Sequence, residues 1–448
     1  MKLGQKLTYS LGNFGNTIVY QAFTNRVQFY YIDVIGLSSS LIGSMWILFG
    51  LWNAINDPLM GQISDRTRTP LGRRIPFILF GGIPVGLTFF LLWIPPTGNR
   101  IVTAVYFLFT VFLFDTAISL LVMAYNSLFA EITDGLDERS SLSAMREAFA
   151  IVSLLAAFVL APILSTSVGW WQMGLIIGGL GAVTCMVSVI GHKENPENYG
   201  ETDTNFLANI REALSNATFR NYLGANIAKE YVFVVLAAAL PFWSKYALDI
   251  TGPATYFGVT LGPGDQEAVL LGVPFVMAIP ILAIWNQVMK RIGVKRMWNI
   301  VFIMFIPGLL VMFFANNFWT GLVGTLAIAP ALAGAMMVFM VMLSEIVDED
   351  ARRVGYRREG IFFGVNGAFQ RLAYAVQGVT LAVIFGLTGF VEAGGQALVA
   401  QPASAVFGIR FLIAGTSIIA CLIGLVFLRR INLPEVVEVI EKAPAPTK

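Results

Sequence analysis

The amino-acid sequence predicts an all-α membrane protein with twelve transmembrane helices arranged in two six-helix bundles. Of the 448 residues, 56% are hydrophobic and only 12% are charged, and the mean hydropathy is +0.72. Soluble domains carry about 25% charged residues, so this composition excludes a water-soluble fold. Apolar runs of about 20 residues, long enough to span a bilayer, recur along the whole chain.

Each apolar run between polar turns is predicted to form one helix. The predicted bounds are 9–34, 40–64, 75–95, 101–130, 141–166, 170–192, 221–248, 268–291, 296–315, 318–345, 360–388 and 406–430. The longest polar interval, 191–220, separates the sixth helix from the seventh. The predicted units are an N-terminal six-helix bundle (1–192), a cytoplasmic linker (193–220), a C-terminal six-helix bundle (221–430) and a cytoplasmic tail (431–448).

Lysine and arginine positions predict the orientation, because cytoplasmic loops are enriched in these residues. With both termini in the cytoplasm, the outer side holds only Arg100, Lys245 and Arg410. The inner side then holds a much larger set that includes Arg66, Arg68, Arg73, Arg74, Arg139, Lys193, Lys290, Arg291, Lys295 and Arg352. We expect a multi-pass monomer, surrounded by lipid in the cytoplasmic (inner) membrane, with both termini inside.

The sequence lacks catalytic and metal-binding patterns. Its one histidine, His192, lies at the predicted cytoplasmic end of the sixth helix, and neither His-Glu-x-x-His nor Gly-x-Ser-x-Gly occurs. Cys185 and Cys421 lie inside apolar runs and are expected to be buried free thiols. The net charge is only +2, and no basic cluster indicates nucleic acid. We therefore expect that the protein is not an enzyme and that it binds no cofactor, metal or nucleic acid. A sensor is not favoured either, because the loops are too short to contain a soluble output domain.

The most informative stretch is 56–74, a charged turn between two apolar runs. Its Gly-x-x-x-Asp-Arg sequence, followed by Gly-Arg-Arg, resembles the cytoplasmic signature of the major facilitator superfamily. Asp65 can pair with neighbouring arginines and with a helix N-terminus, which would hold the two bundles in one gate state. The alternative is a solvated positive-inside loop. The predicted gating residues are Gly61, Asp65, Arg66, Gly72, Arg73 and Arg74.

A faint internal repeat favours the same fold. The loop between the second and third helices contains Gln62, Arg66 and Gly72-Arg73-Arg74, and the loop between the eighth and ninth contains Gln287, Arg291 and Gly293-Val294-Lys295-Arg296. Short basic loops at matched positions indicate two parallel halves, as in major facilitator transporters. The expected fold class is therefore an all-α membrane protein of the major facilitator fold.

Further motifs resemble the glycoside–pentoside–hexuronide:cation symporter family. They are Trp52-Asn53-Ala54-Ile55-Asn56-Asp57-Pro58 with Gly72-Arg73-Arg74-x-Pro76, Gly12-Asn13-Phe14-Gly15, Asp33-Val34-Ile35-Gly36-Leu37-Ser38, and Ser344-Glu345-Ile346-Val347-Asp348 with Arg357-Arg358-Glu359. The resemblance implies uptake of a sugar or glycoside, driven by Na⁺, Li⁺ or H⁺, by alternating access around a central cavity.

The resemblance also implies roles for single residues. Asp57 matches a carboxylate that the family uses for cation coupling, Arg146 matches an arginine beside the sugar, and Arg371 matches a cavity lysine. Other positions depart from the family pattern. Asn53 replaces a second cation carboxylate, Thr17 and Val122 replace sugar-binding aspartates, Asn16 replaces a lysine, and Asn126 replaces a tryptophan on which the sugar stacks. These departures argue against galactoside specificity and against assuming sodium coupling.

The coupling site is predicted to contain Asp57, Asn53 and Thr17. Asn53 and Asp57 are four residues apart and so share one helix face. Their oxygens could hold a cation, although with one formal charge, and a buried carboxylate can equally carry a proton. The hypothesis is H⁺ coupling through Asp57, ahead of Na⁺. In the alternative, Asp57 forms a structural ion pair with Arg146 or Arg371.

The first helix carries polar side chains at three- and four-residue spacing, which forms one stripe: Asn13, Thr17, Gln21, Thr24 and Gln28. Exposure of these polar side chains to lipid would cost free energy, so the stripe is expected to line an aqueous cavity. In the alternative, the stripe packs against neighbouring helices. The predicted substrate-binding residues are Asn16, Gln21, Arg26, Tyr125, Asn126, Arg146, Asn366 and Arg371.

The predicted function is secondary active transport: H⁺- or Na⁺-coupled symport of a sugar, glycoside or hexuronide. The arginines inside the membrane would suit a substrate that bears a carboxylate. The alternative within the same fold is a carrier of lysolipids or other amphipathic or organic anions, because the family's sugar-binding aspartates are missing.

Overall fold

The computed structural model describes residues 1–133, 135–194, 211, 213–354, 359–394 and 399–431. Within helices, a few side chains also lie outside the described part, among them Asp57 and Asp65. The α-helices are α1 (Leu3–Phe29), α2 (Ser39–Arg66), α3 (Ile75–Leu79), α4 (Gly82–Leu91), α5 (Arg100–Glu131), α6 (Gly135–Ser167), α7 (Trp170–Val187), α8 (Ala217–Phe242), α9 (Pro263–Ile292), α10 (Val294–Phe314), α11 (Phe318–Val354), α12 (Glu359–Thr388), α13 (Ala403–Arg410) and α14 (Thr416–Arg429).

A helix or a helix pair occupies each of the twelve predicted intervals. α3 and α4 share the third interval, and α13 and α14 share the last, where a π-helical turn at Phe411–Gly415 joins them. Gly81 allows the break between α3 and α4, because a Cβ atom there would lie 1.9 Å from the carbonyl oxygen of Phe77. Nine helices of the described part are long and apolar enough to cross a membrane; twelve crossings remain a prediction.

Several helices begin earlier than the sequence predicts, and α8 and α6 show two ways in which this happens. α8 begins at Ala217, not at residue 221, because Asn216 caps it: the Asn216 side chain accepts a hydrogen bond from the backbone N–H of Phe219 at 3.2 Å. α6 begins at Gly135 and extends the predicted fifth helix by about two turns beyond its apolar part. Polar capping and polar first turns therefore set these helix starts, whereas hydropathy locates only the membrane-embedded core.

The helices form two bundles, α1–α7 and α8–α14, that meet through three pairs of helices. α2 packs against α12, α6 against α9, and α1 against α8. We call the end of the molecule formed by residues 67–74, 188–194 and 292–295 the basic face. The opposite end, formed by residues 35–38, 95–99 and 248–262, is the distal face; it carries a two-stranded antiparallel hairpin, β1 (Ala254–Tyr256) with β2 (Val259–Leu261).

The first helix of each bundle ends in the same unusual way at the distal face. A π-helical turn follows α1 at Tyr30–Val34, and another follows α8 at Trp243–Ala247. The backbone N–H of Ile35 donates to the carbonyl oxygen of Tyr30 at 2.9 Å, and that of Leu248 donates to Trp243 at 3.0 Å. π turns are rare and often occur at functional sites, so their matched positions reveal a structural repeat that the sequence shows only in its basic loops.

Candidate functional site

A cavity of about 580 Å³ lies between the two bundles at mid-span. Side chains of α1, α2 and α5 line it from one bundle, and those of α8 and α12 from the other. The polar and charged lining residues are Asn16, Thr17, Tyr20, Gln21, Asn53, Ser119, Glu230, Gln370, Arg371 and Tyr374. Amide, hydroxyl and charged groups thus face a common space of the size of a small-molecule binding site.

The polar stripe of α1 divides between several environments. Thr17 and Gln21 line the cavity, together with Asn16. Towards the basic face, the Asn13 amide donates to the backbone carbonyl of Arg146 at 2.9 Å. Towards the distal face, Gln28 exchanges hydrogen bonds with Gln377 of the other bundle at 3.0 and 2.9 Å. One part of the stripe therefore contacts the cavity, and its ends hold helices together.

A chain of hydrogen bonds joins the two bundles at the wall of the cavity. The Arg371 guanidinium donates to the Asn53 amide oxygen, and the Asn53 Nδ2 donates to Asp115 Oδ1 at 2.6 Å. Asn56 binds the other carboxylate oxygen of Asp115, with its Nδ2 at 2.9 Å from Oδ2. Asp115 is almost fully buried. One amide, Asn53, thus links a cation of the C-terminal bundle to an anion of the N-terminal bundle.

One further described residue of α2, Gly61, belongs to this region. Gly61 lines the cavity on the side of the basic face. The backbone of Asp57 lies in α2, but the side chains of Asp57 and Asp65 lie outside the described part of the chain, so their predicted coupling and gating roles stay predictions.

The Arg146 side chain lies in an aromatic cluster at the basic-face end of α6. Its guanidinium carbon is 4.9 Å from the ring centroids of both Tyr125 and Phe129, and its NH2 donates to Asn126 Oδ1 at 2.7 Å. The Tyr125 ring stacks on Tyr9 with a centroid distance of 4.5 Å. Arg146, Tyr125 and Asn126 thus form one group that is separate from the lining of the central cavity.

The remaining two predicted substrate residues are paired elsewhere. Asn366 accepts a hydrogen bond from the Asn226 amide at 2.7 Å, and both side chains are buried inside the C-terminal bundle. Arg26 is 1% exposed and forms an ion pair with Glu267, with NH2 2.9 Å from Oε1. The structure brings together Asn16, Thr17, Gln21, Asn53 and Arg371, but places Arg26 and Asn366 in other contacts.

Between mid-span and the distal face, several polar contacts connect the bundles. Besides Arg26–Glu267 and Gln28–Gln377, the Lys245 Nζ lies 2.6 Å from Asp33 Oδ2, and the Tyr246 hydroxyl donates to Asp33 Oδ1. Asp33 and Lys245 belong to the two matched π turns. These contacts hold the distal halves of the bundles against each other.

The loop at the basic face is organised around two glutamates. Glu131 is buried and accepts hydrogen bonds from the Arg73 side chain, with Arg73 Nε 3.0 Å from Glu131 Oε1. The Nε atom of Arg74 lies 3.5 Å from the same oxygen. The Glu194 carboxylate accepts from the backbone N–H groups of Arg73, Arg74 and Ile75 at 2.7, 2.7 and 2.8 Å. Arg66, the last residue of α2, is exposed. The loop between α2 and α3 is thereby fastened to α5 and to the first residues of the linker.

The predicted site lacks several residues that line the cavity or lie directly behind its wall. Asp115 is an acid inside an apolar run, which is a signal by itself. Glu230 lies 2.5 Å from Lys229 Nζ and accepts from Gln370 at 2.9 Å. On α12, the lining residues recur at helical spacing, from Phe363 through Gly367 and Gln370 to Tyr374. That periodicity could have identified the cavity-facing side of α12.

The sequence of this chain matches a known family along nearly its full length. Residues 8–435 match the family of MFS/sugar transport proteins. The chain belongs to this family. Members are transporters, so the chain is a multi-pass membrane transporter of the major facilitator fold and not an enzyme, and its resemblance to the glycoside–pentoside–hexuronide:cation symporters is confirmed.

Similar proteins within this transporter family come from several bacteria. The chain is 24% identical over 450 residues to the uncharacterized symporter YnaJ of Bacillus subtilis, covering 96% of this chain and 92% of that protein. It is 25% identical over 422 residues to the glucuronide carrier protein homolog of Escherichia coli, covering 91% and 87%. The isoprimeverose transporter of Lactiplantibacillus pentosus is 22% identical over 400 residues, covering 86% and 81%.

Solved structures of transporters show the same fold. The nucleoside transporter NupG superposes with a TM-score of 0.69 at 11% identity, covering 96% of this chain and 100% of that chain. The D-xylose-proton symporter superposes with a TM-score of 0.63 at 14% identity, covering 94% and 96%. At these identities the likeness concerns the fold alone.

Proposed function

We propose that this transporter is a cation-coupled symporter of a sugar glycoside or hexuronide, and that the coupling cation is H⁺. Its relatives include a glucuronide carrier homolog and an isoprimeverose transporter, which supports this substrate class. The proposal places both events, cation binding and substrate binding, at the central cavity.

The observation that carries the proposal is the bridging position of Asn53. Its amide contacts Arg371, which lines the cavity, and Asp115, which is buried behind the cavity wall. A substrate that binds Arg371 therefore competes for the same guanidinium that Asn53 holds. Loss of that contact changes the hydrogen bonding of Asp115, so occupancy of the cavity and the state of a buried acid are linked.

The proposal of H⁺ rather than Na⁺ as the coupling cation rests on the groups that surround the Asp115 carboxylate. Two amide N–H groups, from Asn53 and Asn56, point at its carboxylate oxygens. A Na⁺ ion would need several oxygen atoms at that place and would have to displace these donors. A proton needs only a carboxylate, for which Asp115 and the predicted Asp57 are the candidates. At Asp115 the two amide donors stabilise the ionised form, so protonation there requires that at least one of them moves away. Thr17 at the cavity and the amide oxygen of Asn53 remain the candidate ligands for Na⁺.

The substrate proposal includes a carboxylate. Arg371 lines the cavity and is the guanidinium positioned to bind a carboxylate there. Arg146 lies outside this lining, against aromatic rings and the Asn126 amide, and its contact with the substrate is carried over from the sequence prediction. Arginine binds carboxylates in a bidentate manner. Glucuronides are therefore expected to outcompete neutral glycosides for uptake, and equal or reversed competition would count against a hexuronide.

The transport cycle is proposed to be alternating access in the cytoplasmic membrane, with the basic face and both termini inside. The contacts Arg26–Glu267, Gln28–Gln377 and Asp33–Lys245 form the outer gate. The loop of Gly72, Arg73 and Arg74, together with Asp65, Arg66 and Gly61, serves the inner gate. Each gate opens while the other holds the bundles together.

The test is a substrate panel in proteoliposomes with imposed pH or Na⁺ gradients. A pH gradient, inside alkaline, is expected to drive accumulation of a labelled glucuronide in the wild type. Asp57→Asn should abolish the gradient-driven accumulation but retain exchange of labelled for unlabelled substrate, and Arg146→Ala should weaken substrate binding. Accumulation by Asp57→Asn at the wild-type level would remove Asp57 from the coupling mechanism.

The second candidate is a carrier of lysolipids or other amphipathic anions. An additional, mostly apolar cavity beside the central one favours it. Labelled lysolipid and labelled glycosides assayed side by side distinguish the two, because a lipid carrier would move the first and not the second.

A further inference from the structure

A second cavity of about 270 Å³ adjoins the central one. The two cavities share Gln21, Glu230 and Tyr374 as lining residues, so they are continuous at this junction. Beyond it, the walls are mainly apolar and come from both bundles, with Phe158, Leu270, Leu271, Phe275, Leu332 and Phe339 among them. A chamber lined mainly by apolar side chains therefore opens off the central cavity.

The second cavity extends towards the distal face. Its lining runs from Glu147 of α6 and Lys229 of α8 to Met312, two residues before the end of α10. Phe158 of the N-terminal bundle and Phe275 of the C-terminal bundle both line it and meet with ring centroids 5.3 Å apart. The second cavity thus extends between the two bundles from mid-span towards the distal face, where the bundles are held together.

The charges at the junction are already paired. Lys229 is 4% exposed; its Nζ lies 2.5 Å from Glu230 Oε1 and 4.0 Å from the ring centroid of Phe339. Gln370 donates to the same carboxylate at 2.9 Å. Glu147 lies at an exposed part of the wall. Because Lys229 and Glu230 neutralise each other, the chamber beyond them suits an uncharged apolar group.

We infer that the second cavity binds an apolar alkyl or aryl substituent of the transported solute, while the solute's sugar part occupies the central cavity. This inference rests on the proposed function and specifies its substrate as a glycoside with a small apolar aglycone. An apolar cavity of about 150 Å³ is enough for benzene, so a chamber of about 270 Å³ accepts a single aromatic ring with substituents.

Burial of one aromatic ring should increase affinity by about tenfold or more relative to a methyl group, because apolar burial contributes about 25 cal/mol per Å². The probes are methyl and 4-nitrophenyl glycosides in matched pairs: β-glucuronides, β-glucosides and α-xylosides. Binding to the full-length protein is measured by thermal-shift titration, and uptake is measured in proteoliposomes. The expected result is tighter binding of the nitrophenyl member of the transported pair.

Ala237→Phe fills the second cavity with a side chain and leaves intact the backbone carbonyl of residue 237, which accepts a hydrogen bond from Asn25 at 2.6 Å. This variant should weaken nitrophenyl binding at least about tenfold more than methyl binding. The matched control is Ala368→Phe in the central cavity, which should weaken both members alike. If Ala237→Phe does not fold, Leu332→Ala enlarges the same chamber and should shift the preference towards a naphthyl glycoside.

The inference would be overturned if the methyl and nitrophenyl members bound with equal affinity and if Ala237→Phe or Leu332→Ala left those affinities unchanged. Transport of the methyl glycoside would still support the proposed function in that case. Absence of transport for every pair under every gradient would overturn both. If the protein transported lysolipid but no glycoside, and if Ala237→Phe blocked that transport, the substrate would be a lipid and this assignment would be overturned.

Discussion

A Cβ atom on Gly72 would lie 2.4 Å from the carboxyl carbon of Glu194, and Gly72 has a φ angle of +109°. Two features of the basic-face loop therefore require a glycine at position 72: the positive φ angle, and the close approach of the Glu194 carboxylate, which leaves no room for a Cβ atom. Glu194 in turn binds three successive backbone N–H groups at the start of α3. The first residues after α7 thus fix the shape of the loop between α2 and α3.

Gly72→Ala is predicted to destabilise the protein by about 1–3 kcal/mol, because side chains are strained at this φ angle and the Glu194 carboxylate must move. The measurement is thermal unfolding of the purified protein in detergent. Gly61→Ala is the matched control: among the described residues, no atom outside the adjoining turns of α2 lies within 4 Å of a Cβ added at Gly61, so the stability of this variant should be equal to or slightly above wild type. Equal melting temperatures for both variants would contradict this account.

Neutralising one partner of the Arg26–Glu267 pair is predicted to weaken the distal contact between the bundles. Glu267→Gln leaves the Arg26 guanidinium buried without its counter-charge, which typically costs about 3–5 kcal/mol. In right-side-out vesicles, Thr24→Cys should therefore react faster with an impermeant maleimide when Glu267→Gln is also present. The double change Arg26→Met with Glu267→Leu should restore slow labelling, because it removes both charges. Labelling rates that do not differ would exclude this pair as a gate.

Asp115→Asn is predicted to lower gradient-driven uptake at least about tenfold while substrate exchange persists. The asparagine keeps a side chain of similar size at the end of the Arg371–Asn53 chain but cannot bind and release a proton. Uptake under an imposed pH gradient and exchange without a gradient are measured on the same vesicles. Asp265→Asn is the control, because its carboxylate lies at the distal start of α9, where it accepts from the Gly262 N–H. Exchange and uptake lost in equal measure would indicate a structural role for Asp115.

Protein stability is predicted to fall as the pH is lowered below about 6.5, in part through His192. Burial lowers the pKa of His192 from its ordinary value, and a hydrogen bond with the backbone of Gln5 opposes this effect only partly. The unfolded chain then binds a proton at a higher pH than the folded protein, so the free energy of unfolding decreases between the unfolded and the folded pKa. His192→Phe keeps a ring against Tyr9, which contacts the histidine at a centroid distance of 5.5 Å.

The measurement is the melting temperature from pH 8 down to pH 5 for wild type and for His192→Phe. The variant should show a smaller decrease across this range, and a decrease equal to that of the wild type would assign the effect to other groups.

The positions of the helices were predictable because apolar runs and polar turns are local properties of the sequence. The start of α8 was not, because the Asn216 cap lies outside the apolar run. Within the site, helical spacing on α1 suffices to predict that Thr17 and Gln21 face one cavity. The family resemblance adds Asn53, which it matches to a cation-binding position.

Other residues depend on partners far away in the chain. Arg26 is 241 residues from Glu267, and Asn366 is 140 residues from Asn226. An intramembrane arginine or asparagine indicates in the sequence only that some polar partner exists. Whether that partner is a substrate or another side chain follows from tertiary packing, which the spacing of residues does not determine.

The matched π turns carry the two ends of one ion pair, Asp33 and Lys245. A π turn contains one residue more than the α-helical path needs, and each residue of an α-helix turns the chain by about 100°. If either turn reverted to regular α geometry, the side chains beyond it would swing around the helix axis by that angle. Each bundle therefore has, at the distal end of its first helix, a turn that can rotate the following side chains by changing between π and α geometry. Such a change on one side alone would separate Asp33 from Lys245 without bending either helix.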